Sequence, residues 1–103
     1  MKAAESYYAS LLDGDYEAFL AQRADVESMP ASFREQLLVA YKQFVRQQQD
    51  AHEGGIASFT ASRAQMDSTL QLMQVFLLVN YADSTQEEIV VPMVERDGKW
   101  MMK

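Results

Sequence analysis

The sequence predicts an α+β fold with an N-terminal helical half packed against a C-terminal antiparallel sheet. Through residues 4–53, apolar side chains recur every three or four positions, as on one face of a helix. After Gly54-Gly55 the period changes to two, which is typical of a half-buried strand, and Asp97-Gly98 is a strong two-residue hairpin signal. A chain of 103 residues has room for one domain, so we predict a single α+β domain over residues 1–103.

The first two predicted helices are short. Gly14 ends the first, because glycine adopts the left-handed conformation without strain. Asp15 is then placed to cap a second helix that carries Tyr16, Phe19 and Leu20 on one side. The apolar face of the first helix consists of Ala4, Tyr7, Tyr8, Leu11 and Leu12.

The third predicted helix is the longest. The preceding stretch, Asp25–Pro30, has no periodicity and is predicted to be a connection. Ser32 and Glu35 have the spacing of a capping box, which predicts that the helix begins there. We expect it to run to about Glu53 and to end at Gly54-Gly55. Its apolar stripe consists of Phe33, Leu37, Tyr41, Phe44 and Val45.

Four strands are predicted after the glycine pair. The first contains Phe59 in a stretch of alternating small and polar residues, and turn residues follow at Asp67-Ser68-Thr69. Leu70–Tyr81 is apolar at nearly every position, which predicts a central strand covered on much of both faces. A turn at Ala82–Thr85 leads into a third strand around Val91.

The last hairpin predicts which side chains face the helices. If Asp97-Gly98 forms a type I′ turn, Arg96 pairs with Lys99 and Glu95 lies opposite Trp100. Pro92 indicates an edge, a bulge or a non-bonded position. The inward face then consists of Ile89, Val91, Met93, Trp100 and Met102, and we expect the helix containing residues 33–45 to pack across it.

Composition restricts the partners of this chain. The formal net charge of −6 and the scattered Lys and Arg residues argue against nucleic acid, which requires clustered positive charge. The chain has no cysteine, so thiol catalysis and thiolate metal sites are excluded. The longest strongly apolar run, Val75–Val79, is too short to span a bilayer, and the N-terminal residues do not form a signal segment.

Several motifs resemble a family of bacterial envelope domains of unknown function that have the nuclear-transport-factor-2-like fold. The matching residues are Tyr8, Leu12, Gly14-Asp15-Tyr16, Gly54-Gly55-Ile56, Ser58-Phe59, Val91-Pro92-Met93-Val94 and Asp97-Gly98-Lys99-Trp100. This family belongs to a lumazine-binding-like group and is common in lipoproteins. The resemblance implies a cystatin-like cone, with three helices packed on a curved four-stranded antiparallel sheet. It also implies export to the cell envelope, periplasmic or at the surface, with a lipid anchor upstream of this chain.

No constellation of residues in the sequence indicates catalysis, and we predict that the protein is not an enzyme. Glu95 is the one ionisable group on the predicted inward face, and it lies near a turn that solvent reaches. His52 is the single histidine and falls in the last turn of the long helix, where partial positive charge on its ring interacts favourably with the helix dipole. Asp50 and Glu53 beside it do not converge on one point, so no metal site and no cofactor are predicted.

The aromatic residues permit two interpretations. They can form a core in which the polar ends of the rings reach solvent, or they can line a cavity that holds a flat apolar or aromatic ligand. The candidate ligand-pocket residues are Tyr8, Tyr16, Tyr41, Met93, Glu95 and Trp100.

Three functional hypotheses follow. The first is a non-enzymatic, exported binding or interaction domain; the second is a small-molecule pocket protein; the third and weakest is an isomerase-like enzyme. The outward face of the sheet, with Val90, Val94 and Met101, also predicts a homodimer through the sheet.

Overall fold

Three helices precede a four-stranded antiparallel sheet in the computed structural model, which describes residues 2–103. The sheet order is β1-β2-β3-β4, and a single 3-10 turn at Val26–Ser28 lies between the second and third helices. This order confirms the α+β prediction. The elements are α1 (Lys2–Leu12), α2 (Tyr16–Ala21), α3 (Ala31–Ala51), β1 (Ile56–Asp67), β2 (Leu72–Tyr81), β3 (Gln86–Arg96) and β4 (Lys99–Met102).

The helix ends follow local chemistry, with one departure from the sequence prediction. Asp15 caps α2 as predicted, and its Oδ1 accepts a hydrogen bond from the Ala18 amide at 3.1 Å. The predicted capping box at the start of α3 is wrong. The Pro30 carbonyl accepts the first helical bond from the Arg34 amide at 3.1 Å, and Ser32 is therefore already inside the helix. The proline side chain has no hydrogen-bond acceptor, so this N-cap makes no side-chain cap.

The core lies on the concave face of the sheet. Val75, Leu77, Val79 and Met93 are each at most 2% exposed, which is expected for a central strand and its neighbour. The predicted inward face is confirmed, since Val91, Met93 and Met102 are buried while Ile89 and Trp100 pack partly against the core. The predicted pairs at the last hairpin are confirmed as well, and both residues of its turn have positive φ, as a type I′ turn requires.

The predicted position of α3 is largely wrong. Helix α1, not α3, lies across the concave face, where it packs against β1, β2 and β4 and Tyr7 donates a hydrogen bond to the Trp100 carbonyl. Helix α3 packs against α1, α2 and β1, and none of its side chains is fully buried. Tyr41 and Val45 still pack against the core, but Phe33 is 43% exposed. Helix α1 therefore covers the concave face, and α3 contributes only Tyr41 and Val45 of its predicted stripe to the core.

No helix within residues 2–103 combines the length and hydropathy that crossing a bilayer requires.

Candidate functional site

Part of the edge of β3 has no neighbouring strand. Strand β4 pairs only with Met93–Arg96, and pairing stops where the Lys103 amide donates to the Pro92 carbonyl at 3.0 Å. From Gln86 to Val91, the side of β3 that faces away from β2 has no strand partner among residues 2–103. The sheet therefore ends in an open edge.

Helix α3 reaches the sheet at two points. Near its C-terminal end, the Tyr81 hydroxyl on β2 donates to Gln48 Oε1 at 3.0 Å. In the middle of the helix, Tyr41 lies close to Val91 and Met102. Beside Tyr41 is a shallow depression of about 200 Å³, which we call the edge groove. It is lined by Tyr8, Phe19, Arg23, Tyr41, Val90, Val91, Pro92, Met102 and Lys103.

The floor of the edge groove is aromatic. Phe19 lies edge-on to both Tyr8 and Tyr41, with ring centroids 5.0 and 4.9 Å apart. Burial, with a smaller effect from Tyr41, raises the pKa of Tyr8 to about 12, so its hydroxyl stays neutral at physiological pH. The Tyr41 hydroxyl is buried and has no well-formed hydrogen bond to the described residues, while the Arg23 guanidinium beside it bonds Asp25 at 3.2 Å.

One flank of α3 forms an apolar wall. Residues of an α-helix are about 100° apart, so Leu38 and Gln49 share one flank while Phe33, Leu37 and Phe44 share the other. Leu38 lies beside α2, and Gln49 lies against Gly55 at the start of β1. The Phe33–Leu37–Phe44 flank therefore faces away from α2 and from the start of β1. Phe33 and Phe44 are 43% and 37% exposed, so this flank is incompletely covered.

A polar cluster lies at the C-terminal end of α3. The His52 ring stacks on Tyr81 with centroids 3.6 Å apart, and its Nδ1 lies 2.9 Å from Asp83 Oδ2. Thr85 Oγ1 is 3.2 Å from the same nitrogen. The hydrogen bonds from Thr85, followed by those from His52, lower the pKa of Asp83 to about 2. The cluster thus ties the end of α3 to the β2–β3 turn.

The Tyr81 hydroxyl belongs to the same cluster. It lies 2.8 Å from Glu87 Oε2 and 3.0 Å from Gln48 Oε1, and its single hydrogen serves one acceptor at a time. Burial, followed by the hydrogen bond to Glu87, raises the pKa of Tyr81 to about 12. No group of three metal-ligating side chains converges anywhere in residues 2–103, and the cluster is therefore not a metal centre of ordinary composition.

The sequence-predicted pocket residues do not form one site. Tyr8 and Tyr41 line the edge groove, while Met93 is fully buried beneath the helices. Tyr16 packs partly against the core. Glu95 and Trp100 lie at the far end of the sheet and line a separate depression of about 620 Å³ with exposed residues of the β1–β2 turn.

Two features of the site were missed in the sequence. His52 pairs with a residue 31 positions away, and no local pattern reveals that contact. The open edge had a signal that was not used to its full extent, because Pro92 within β3 is typical of an edge position.

Comparisons with known proteins identify the fold. No protein-family model matches the chain, and no curated protein matches it significantly. A solved structure named "Putative NTF2-like transpeptidase" from Campylobacter jejuni is similar, with a TM-score of 0.69 over 98% of this chain and 94% of that chain. The chain has the nuclear-transport-factor-2-like fold. Sequence identity to that structure is 13%, so the similarity shows the fold alone. The fold implied by the sequence motifs is confirmed.

Proposed function

We propose that this domain is a non-enzymatic binding module and that the edge groove is its binding site. The observation that carries the proposal is that apolar side chains are buried on the concave face but exposed on α3 and β3. The concave face is filled, and no charged side chain within residues 2–103 is buried. In contrast, Phe33 and Phe44 on α3 and Val90 on β3 remain substantially exposed, and Val90 lines the edge groove. Exposed apolar surface rimmed by polar residues is typical of an interaction site.

The polar cluster does not favour catalysis. The similar Campylobacter protein is named as a transpeptidase, a reaction that requires an activated nucleophile. Here His52 Nδ1 faces both Thr85 and Asp83, so the ring cannot relay a proton between them through its two nitrogens. An isomerase-like mechanism is disfavoured as well, because the raised pKa of Tyr81 weakens it as a proton donor.

The binding proposal can be tested with a defined peptide. We suggest titrating the protein with a heptapeptide of alternating valine and lysine, followed by ¹⁵N–¹H spectra. Phe44→Ser is expected to weaken binding about fivefold or more, because it removes exposed apolar area from α3, the helix that contributes Tyr41 to the groove. Val39→Ser is the matched control, since Val39 is on the opposite side of α3 and is 56% exposed. Equal affinities for the two variants would contradict the proposal.

A small-molecule pocket is the second candidate function, and the depression beside Trp100 favours it. Its volume of about 620 Å³ is sufficient for a drug-sized ligand, and Leu70 contributes exposed apolar surface. Trp100 is the one tryptophan of the chain, so its fluorescence reports on this depression directly. Native mass spectrometry of fresh protein that shows a bound species, together with a change in this fluorescence on its removal, would support the candidate. Repeated absence of both signals would count against it.

We also propose that the domain is exported to the cell envelope and is anchored by lipid upstream. The support is the resemblance of the turn and core motifs, such as Asp97-Gly98-Lys99-Trp100, to envelope domains. Fractionation of the natural host with an antibody to this domain tests the proposal. Recovery in the cytosolic fraction would contradict it.

A homodimer through the convex face of the sheet is a separate proposal. Val90, Val94 and Met101 contribute apolar surface, and Val90 is 52% exposed. Light scattering at increasing concentration is expected to show a mass increase that Val94→Lys abolishes. A strict monomer at high concentration would refute the dimer.

A further inference from the structure

Four methionines lie side by side across the whole sheet. Met66 on β1 is paired with Met73 on β2, Met73 with Met93 on β3, and Met93 with Met102 on β4. Residues that pair directly in antiparallel strands have their side chains on the same face of the sheet. Met93 and Met102 belong to the core on the concave face, so all four thioethers are on that face. We call these four residues the methionine row.

We propose that the outer end of the methionine row, at Met66 and Met73, binds a soft monovalent metal ion, Cu(I). This site goes beyond the proposed binding function and does not depend on the edge groove.

Burial separates the two halves of the row. Met93 is fully buried and Met102 is 5% exposed, and packing explains both, because methionine fills irregular gaps in a core. Met73 is partly buried against the core. Met66 is 56% exposed on an edge strand, where core packing gives no reason for a methionine. An ion from solvent therefore reaches Met66 first, with Met73 directly beside it.

The spacing of paired strand residues suits coordination by two sulfurs. Directly opposite side chains have Cβ atoms about 4.5–5.5 Å apart. A metal–sulfur bond is about 2.3 Å long, so two sulfurs on opposite sides of one ion are about 4.6 Å apart. The methionine side chain is unbranched and flexible, which allows Met66 and Met73 to bring their sulfurs to that separation. Met73 is also opposite Met93, so a third thioether is next in line on the inner side.

The ligand chemistry selects the ion. Thioethers are soft, uncharged donors, and they favour Cu(I) over harder divalent ions. The chain contains no cysteine, so thioethers are its only sulfur donors. Within residues 2–103, no group of three His, Asp or Glu side chains is arranged to hold a harder ion. Uncharged ligands do not compensate the charge of the ion, and this costs less for a monovalent ion than for a divalent one.

The charges around the row are compatible with a cation. Arg63 is the one basic residue of β1, and its guanidinium lies over the Phe76 ring, 4.0 Å from the centroid. Phe76 alternates with the buried Val75 and Leu77, so Arg63 is on the convex face, away from the row. The formal charge of −6 also attracts cations to the molecule.

Titration of the full chain with Ag(I) in a chloride-free buffer tests the site. Ag(I) shares the preference of Cu(I) for thioethers and keeps its oxidation state during the experiment. Native mass spectrometry is expected to show a single bound ion per chain. In ¹³C–¹H spectra, the largest shifts are expected at the ε-methyl groups of Met66 and Met73. Cu(I), kept reduced by ascorbate under argon, should displace Ag(I), and Zn(II) should not.

Protein variants give an independent test. Met66→Leu and Met73→Leu nearly conserve side-chain volume and each removes one sulfur. Each is expected to weaken Ag(I) binding about tenfold or more, because a direct ligand is lost. Met101→Leu is the matched control and is expected to bind normally, since Met101 is next to Met102 but pairs with Val94 on the other face. If Met73→Leu fails to fold, Met66→Leu at its exposed position and the methyl spectra of the unmodified protein still decide.

The outcomes are distinct from those of the peptide experiment. Equal Ag(I) affinities of Met66→Leu and Met101→Leu would overturn the metal site, as would the absence of a bound ion in the mass spectra. Loss of binding in His52→Gln would also overturn it, because the single imidazole would then be the ligand. Each of these results leaves the edge groove untouched, and failure of the peptide to bind leaves the metal site untouched.

Discussion

At the scale of single residues, contacts between distant parts of the chain decide the chemistry of the polar cluster. Asp83 is in a turn, and the hydrogen bonds from Thr85 and His52 stabilise its charged form. The same residues without this arrangement would be ordinary surface groups. The cluster therefore makes a prediction about pH.

Asp83→Asn is expected to reduce the acid sensitivity of the fold. The pKa of Asp83 falls from 3.8 to about 2 in the folded protein, so its contribution to stability is present above pH 3.8 and is lost as the pH falls toward 2. The free energies of unfolding of the variant and the wild type should differ near neutrality and converge near pH 2. Urea unfolding across this range measures the difference. Asp50→Asn, an exposed position near the end of α3, is the control and should show no such convergence.

Tyr8 and Tyr81 are expected to ionise only at strongly alkaline pH. Burial is the largest cause in both cases, and it raises their pKa from 10.0 to about 12. Their neutral forms therefore support folding below pH 10, and this support is lost as the pH rises toward 12. Tyrosinate absorbance during alkaline titration should lose a late step in Tyr8→Phe and in Tyr81→Phe. Unchanged titration curves would show that neither hydroxyl is shielded.

At the scale of elements, β2 and α3 differ in how firmly they are packed. Leu77 on β2 is fully buried, so Leu77→Ala is expected to cost about 2–5 kcal/mol. Phe44 on α3 is 37% exposed, and Phe44→Ala is expected to cost less than about 2 kcal/mol despite the larger side chain. Chemical denaturation compares the two variants. Similar losses would mean that α3 is more deeply packed than its exposure indicates.

The turns that join the elements differ as well. Gly98 has a φ of +79°, and a Cβ atom added there meets nothing within 4 Å, so Gly98→Ala is expected to cost only the left-handed strain of about 1–2 kcal/mol. Gly54 has a φ of +82°, and an added Cβ would lie 2.7 Å from the Ala82 Cβ. Gly54→Ala should therefore cost more, because a steric clash is added to the strain. Thermal unfolding of the two variants gives the order, and the reverse order would contradict this account.

The elements themselves were largely predictable because their signals are local. Asp15, Gly14 and Asp97-Gly98 act through hydrogen bonds and backbone conformations within a few residues, and all three behave as predicted. The start of α3 was mispredicted because two local signals compete there. Pro30 begins the helix at Ala31, before the serine at position 32 can act as a cap.

At the scale of the whole molecule, the acidic net charge predicts that the domain does not bind nucleic acid. Duplex DNA labelled with a fluorophore is expected to show no change in anisotropy with this protein, even at low salt, because a net charge of −6 repels phosphate. The valine–lysine heptapeptide is the positive control for activity of the preparation. DNA binding at low salt would require a basic patch that the scattered Lys and Arg residues do not form.

The sequence by itself determined the class of fold, the order of elements, the last hairpin register and the inward face of Val91, Met93 and Met102. These depend on periodicity and on turn chemistry, which act over short distances. Only the tertiary structure decided that α1 covers the concave face, that α3 packs against α1, α2 and β1, and that His52 meets Asp83. Both α1 and α3 have apolar faces that could cover the sheet, and a helix pattern does not say which one does. That choice depends on contacts between distant segments, and it leaves the edge groove open.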